Sequence, residues 1–158
     1  MRTVGLITLA LDLATNCGYA VGDDQKDKPK HGTVGFVNKQ FDGAGMRFLK
    51  FRLWLRDIID LHEVDMVIYE SVASHTGTIA AHIYGGWVAE MQAVCEEEKI
   101  HYTSFGVTEI KKFWTGKGNA KKDAMIAAAN KRGFDPKDDN AADALAVWFL
   151  GKETYADL

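Results

Sequence analysis

Cysteine is scarce in this chain: Cys17 and Cys95 are the only two in 158 residues. Their spacing matches no metal-ligand pattern. Without a secretory leader, such a pair reads as reduced thiols rather than a disulfide. Long apolar runs are missing as well, and none approaches the roughly 20 residues that span a bilayer. The N-terminus lacks the layout of a signal peptide. One Arg precedes a strand-like run that leads into Asp12, with no small-residue cleavage site. These absences predict a cytoplasmic protein with no membrane partner. No internal repeat, low-complexity tract or linker interrupts the chain, so residues 1–158 read as one domain. Gly116-Lys117-Gly118-Asn119 lacks the Lys-Ser/Thr pair of a Walker A loop, so it does not read as a nucleotide-binding signature.

Apolar residues are plentiful at 47%, enough for a full core. The net charge of −3 argues weakly against a nucleic-acid partner, but its distribution matters more. Between Lys111 and Arg132 stand Lys111, Lys112, Lys117, Lys121, Lys122, Lys131 and Arg132, with Asp123 the one acid. Acids gather elsewhere, as in Glu96-Glu97-Glu98 and Asp138-Asp139. Such a basic stretch is either a solvated helix face or a surface for phosphates, and charge alone favours the first.

Hydrophobic periodicity predicts three opening strands, Val4–Ala14, Cys17–Gly22 and Gly32–Val37, joined as an antiparallel meander. A helix follows over Gly43–His62, then a strand over Val64–Glu70 and a loop over Ser71–Gly77. A second helix spans Ile79–Glu98, and a fifth strand Ile100–Phe105. Helices over Val107–Trp114, Asn119–Arg132 and Asp139–Leu150 complete the chain, with Gly133 and Gly151 closing the last two. This order predicts an α/β fold with a five-stranded mixed sheet, three antiparallel strands and then two parallel ones, and helices on both faces.

Three acids stand out against this apolar background. Asp12 is the one acid in the run Val4–Leu13, Glu70 ends Met66-Val67-Ile68-Tyr69, and Asp143 interrupts an Ala-rich helix. A buried carboxylate is costly unless paired or coordinated. Three of them pressed against apolar elements suggest one shared hard cation, Mg²⁺ or Mn²⁺. Paired ions of this kind serve phosphodiester chemistry most often. Asp139 and Asn140 lie four and three residues before Asp143 and share its helix face, so each is a candidate fourth ligand. Asp139 reads equally well as the helix cap.

The strings LALDLATNCGYAV, VIYES, TGKGNAKKDAM and DDNAADALAV, in that order from about Leu6 to Leu150, resemble RuvC-type Holliday-junction resolvases. The resemblance implies a ribonuclease-H-like fold, a homodimer, and nicking of four-way junctions, with three-way junctions and flaps as further branched substrates. Two Mg²⁺ or Mn²⁺ ions per active site are implied. Asp12, Glu70 and Asp143 match the family's acids, with Asp139 or Asn140 completing the metal set. Lys122 matches a basic residue that serves catalysis or DNA contact. Lys111, Lys112, Lys117 and Lys121 then read as DNA-backbone contacts.

Some positions depart from the family pattern. The first turn reads Asp12-Leu13-Ala14 where Asp-Pro-Gly is common, a variant similar to phage or prophage relatives acting in a bacterial or infected-host cytoplasm. Ser71-Val72-Ala73 stand where an aromatic usually follows the fourth-strand Glu. His82, Gly85, Gly86, Ala89 and Ala93 line one side of the second helix, which sits at the dimer interface in this family. Packing on the protein's own sheet is the alternative for that face. His75 and His82 show no metal-ligand pattern, and Trp54, Trp87, Trp114 and Trp148 read as core or interface residues.

Two other functions remain open at this point. One is a junction-binding protein that kept the fold and lost catalysis with the ligand at Asn140. The other is a small ATP-handling protein of the actin and sugar-kinase type, which shares the Asp-bearing first strand but needs a second lobe that this chain is too short to hold.

Overall fold

The computed structural model describes residues 4–156. Its central sheet has five strands in the order β3-β2-β1-β4-β5. The strands are β1 (Ile7–Asp12), β2 (Asn16–Asp23), β3 (Lys30–Gly35), β4 (Met66–Ser71) and β5 (His101–Gly106). The first three pair antiparallel, and β4 and β5 join parallel to β1 and to each other. This is the predicted mixed sheet. The opening strand is shorter than its apolar run, beginning at Ile7.

Five helices cover the two faces. Helices α1 (Met46–His62) and α2 (Thr78–Glu98) pack on one face. Helices α3 (Val107–Thr115), α4 (Lys122–Lys131) and α5 (Asp139–Tyr155) pack on the other. Strand residues alternate between the two cores as the pleat requires. Leu9 and Leu11 face α1 and α2, while Ala10 faces α5. The α1–α2 core is aromatic, with Trp87 ringed by Phe36, Phe48 and Phe51 at centroid distances of 5.9, 4.8 and 5.4 Å. In the other core Trp148 is fully buried, and its indole N–H donates to the Thr8 carbonyl at 3.1 Å, tying α5 to β1.

Several boundaries differ from the sequence reading. Helix α5 continues through Gly151 to Tyr155. Gly151 is there for closeness rather than termination: a Cβ on it would lie 2.4 Å from Ile68 Cδ1. Helix α4 starts at Lys122, so Asn119 does not cap it. Gly133 does follow α4, with φ +91°. Asp138, not Asp139, caps α5, accepting a hydrogen bond from the Ala141 amide at 2.9 Å. Cys17 and Cys95 are both free and buried, and burial pushes the Cys95 thiol up to about 12.

Candidate metal and DNA site

The sheet register builds the site. Asp12 is the last residue of β1 and pairs with Gly18 of β2, which in turn pairs with Thr33 of β3. Paired residues across an antiparallel ladder point to the same face. Thr33, Gly18 and Asp12 therefore form one cross-strand row beneath α5. On the other side of β1, Leu11 pairs with Tyr69, which brings Glu70 to the neighbouring strand end. Helix α5 begins over this row. A Cβ on Gly18 would lie 1.9 Å from the carbonyl oxygen of Asn140, so glycine is what lets the first turn of α5 rest on the sheet.

That seating delivers Asp143 to the other two acids. Carboxylate oxygens of Asp12, Glu70 and Asp143 lie within 4.8 Å of one another. All three are partly buried. Burial pushes Asp12 well above the usual carboxylate range, and repulsion from Glu70, Asp143, Asp139 and Asp138 adds to it. Asp143 is pushed up to about 7, by burial first and then by Glu70 and Asp139. Burial raises Glu70 too, against the attraction of Lys111. Among the described residues, the buried Asp143 Oδ1 has no hydrogen-bond partner. Three all-oxygen donors, mutually repelling and one of them orphaned, fit a hard divalent cation. A cation here would relieve the repulsion and accept the unused lone pair of Asp143 Oδ1 at once.

The remaining candidates surround this cluster. Asp139 lies outside the group of three and stands 4.0 Å from Lys122 Nζ. The main chain of Asn140 packs on Gly18. Lys111, Lys121 and Lys122 line a cleft of about 270 Å³ together with Asp139 and Asp143. The sequence reading put Lys122 at the reacting centre and Lys111 on the general basic surface. The structure places Lys111 close in as well: its charge acts on both Glu70 and Asp143, and that of Lys122 on Asp143. Lys112 and Lys117 are exposed. In Gly116–Asn119 two amides are already engaged: the Gly116 N–H donates to the Lys112 carbonyl at 2.8 Å and the Lys117 N–H to Thr115 Oγ1 at 3.1 Å.

Sequence reasoning missed two supports. The Tyr84 hydroxyl donates to the Glu70 carbonyl at 2.9 Å and accepts from the Val72 amide at 3.1 Å, fixing the end of β4 from α2. The Thr33 hydroxyl donates to Asp138 Oδ1 at 2.7 Å. No sequence signal marks either pair, because each joins residues on separate elements. The small-residue face of α2 divides in two. Gly86 turns inward, where a Cβ would lie 2.4 Å from Phe48 of α1. His82, Gly85, Ala89 and Ala93 are exposed. His75 packs against Tyr84 at a tilt, with ring centroids 4.6 Å apart. Trp87, Trp114 and Trp148 are core residues.

The mixed sheet with acids at the ends of its first and fourth strands and on its last helix defines a ribonuclease-H-like domain. The chain belongs to the family described as crossover junction endodeoxyribonuclease RuvC, a family of hydrolases, whose family model matches residues 11–150. Among solved structures, Thermus thermophilus RuvC in complex with a Holliday junction substrate is similar at a TM-score of 0.79 and 16% identity, covering 96% of this chain and 94% of that one. A second Thermus thermophilus RuvC structure gives 0.73 at 18% identity, covering 96% and 95%. The yeast mitochondrial Holliday junction resolvase Ydc2 gives 0.66 at 12% identity, covering 96% and 82%. A comparison with curated proteins finds no match. No helix among the described residues is long and apolar enough to cross a membrane.

Proposed function

We propose that this chain is a divalent-metal-dependent endonuclease that nicks Holliday junctions and other branched DNA by phosphodiester hydrolysis. The observation that carries this reading is the convergence of Asp12, Glu70 and Asp143 to within 4.8 Å, from three elements far apart in sequence. Family membership supplies the reaction class.

Asp12, Glu70 and Asp143 would hold the metal, Mg²⁺ or Mn²⁺, with Asp139 adding charge from the rim and Asn140 beside it. Two such ions, when bound there, would supply an activated water and charge relief at the leaving oxygen. The chain's own side chains do the rest. Lys111 and Lys122 draw a phosphate towards the carboxylates, where the acids alone would repel it. Lys112, Lys117 and Lys121 hold the flanking backbone without reading sequence. The buried walls of Ala120 and Met125 limit water at one side of the cleft.

The same reading makes the active species a homodimer, with one site for each of two nicks. The exposed outer layer of α1 and α2 supports this. Leu49, Leu53 and Ile79 are 42%, 52% and 77% exposed, and the small residues Gly85 and Ala89 of α2 are exposed too. Exposed apolar and small side chains let a second helix layer approach closely. The turn Asp12-Leu13-Ala14 supports a place in the phage or prophage branch, and a role in recombination or repair in the cytoplasm of the bacterium or infected host. A cleavage panel of four-way junction, three-way junction, flap and linear duplex, with and without Mg²⁺, tests the proposal. Cutting confined to branched substrates with metal supports it. A chain that binds junctions and never cuts them would be the binding protein instead.

A further inference from the structure

We propose that Thr33 is a positioning residue of the metal site, acting through Asp138 to hold the first turn of α5 over the carboxylates. This deepens the functional reading above and rests on its assignment of the acids as metal ligands.

One carboxylate oxygen carries two bonds. Asp138 Oδ1 accepts both from the Ala141 amide at 2.9 Å and from the Thr33 hydroxyl at 2.7 Å. The first bond caps α5, satisfying one of the orphan amides at its start. The second comes from strand β3, 105 residues earlier in the chain. Thr33 therefore orients the cap. A carboxylate that caps a helix can rotate about its χ angles. Held from below by a hydroxyl on a sheet residue, it can cap in one direction only.

What this fixes is the register of α5 against the sheet. Thr33 pairs with Gly18, and Gly18 pairs with Asp12. The helix touches this row at two consecutive points, Asp138 on Thr33 and the Asn140 carbonyl over Gly18. Asp139 lies between those two anchors, and Asp143 follows one turn later, beside Asp12. Asp139, Asn140 and Asp143 thus take their distance from Asp12 from a strut two strands away. The strut is also the outermost tie of the site, since β3 is an edge strand. Loss of the hydroxyl frees the cap and lets the first turn of α5 fray. Repulsion among the acids then drives it away from the sheet.

Metal binding tests this directly, measured as Mn²⁺ affinity by calorimetry on the full chain, beside thermal melting in EDTA and the Mg²⁺ dependence of junction cutting. Thr33→Val should weaken Mn²⁺ binding about fivefold or more. It should raise the half-saturating Mg²⁺ for cutting by a similar factor and leave the rate at saturating metal near that of the parent. Thr33→Ser restores the hydroxyl and should bind Mn²⁺ like the parent. Asp138→Asn keeps an oxygen that can accept both bonds but removes the charge, and should stay within about twofold. Parent-like Mn²⁺ affinity in Thr33→Val would overturn the proposal. So would equal losses in Thr33→Val and Thr33→Ser, which would make the role one of packing. A loss in Asp138→Asn as large as in Thr33→Val would mean that charge, not geometry, is what Asp138 supplies. A melting temperature in EDTA lowered far more than the loss of one helix cap explains would reduce Thr33 to a general stabiliser. A parent chain that binds Mn²⁺ but cuts no junction would instead overturn the functional reading and leave the strut standing.

Discussion

At the scale of single residues, three acids crowd within 4.8 Å, and burial raises all three carboxyl groups above their ordinary range. Asp143, pushed up to about 7, is partly protonated in the metal-free protein at neutral pH, and Asp12 sits higher than an ordinary carboxylate for the same reason, burial. The folded state therefore binds more protons than the unfolded chain between about pH 4 and pH 7, so stability must fall as pH rises through that window. The loss at pH 8 should be on the order of a few kcal/mol, since each pKa unit is worth about 1.4 kcal/mol. Urea unfolding in EDTA at pH 5 and pH 8 should show the protein less stable at the higher pH. Asp143→Asn should flatten the difference, and Mn²⁺ should restore stability at pH 8. A metal-free protein equally stable at both pH values would contradict the burial of these acids.

The lysines belong to the same scale. Lys111 attracts both Glu70 and Asp143, whereas Lys122, 81% exposed and 4.0 Å from Asp139, attracts Asp143 but not Glu70. Both variants, Lys111→Ala and Lys122→Ala, should slow cutting more than they weaken binding, with Lys111→Ala the slower. Lys117→Ala should act on affinity instead, reducing the salt slope by about one phosphate contact. Filter binding across a salt series and single-turnover cutting separate the two classes. The three acids were legible in the sequence because each breaks an apolar run. The role of Lys111 was not, because its position on α3 relative to the end of β4 depends on how α3 packs, which no local pattern encodes.

Among the elements, α5 is the one that makes the site. Its alternation of buried alanines with one acid was visible in the sequence, as were the strands and both long helices, since periodicity survives in local composition. Its end was not. Gly151 reads as a stop signal in sequence and is a contact point in the structure, because the same missing Cβ serves both purposes. Whether Asp139 caps the helix stayed open in the sequence, because Asp138 and Asp139 are adjacent and chemically identical; in the structure Asp138 is the cap, and Thr33 holds the same oxygen. Two glycines therefore test the packing of α5. Gly18→Ala drives a Cβ into main-chain atoms of Asn140, which cannot swing aside. It should cost about 2–3 kcal/mol, at the upper end for overpacking. Gly151→Ala meets only the tip of Ile68 and gains about 1 kcal/mol of helix propensity, so it should be within about 1 kcal/mol of the parent. Thermal melts with the ranking reversed would mean that α5 is seated differently.

At the scale of the whole molecule, the sheet separates two helical layers. One face carries α3, α4 and α5, which bring Asp143 and the surrounding lysines to the strand-end acids Asp12 and Glu70. The other carries α1 and α2, whose outer layer leaves Leu49, Leu53 and Ile79 in solvent. The sequence had suggested a helix face around Gly86 for a second copy. That residue is taken by Phe48, and the free surface lies around Gly85 and Ala89 instead. Sedimentation at micromolar concentration should show a dimer. Leu53→Asp should shift it to monomer without unfolding it, whereas a parent chain monomeric even with junction DNA bound would contradict the paired-site account.

The central claim is that three distant acids form one metal site that cuts branched DNA. Its most direct measurement is nicking of a labelled four-way junction in Mg²⁺ by the parent, Asp12→Asn and Glu70→Gln, with junction binding followed in parallel. The account predicts divalent-dependent cutting by the parent, loss of at least about a hundredfold in each variant, and binding retained in both, because phosphate contacts by Lys and Arg supply most of the affinity. Near-parental cutting by either variant would contradict it.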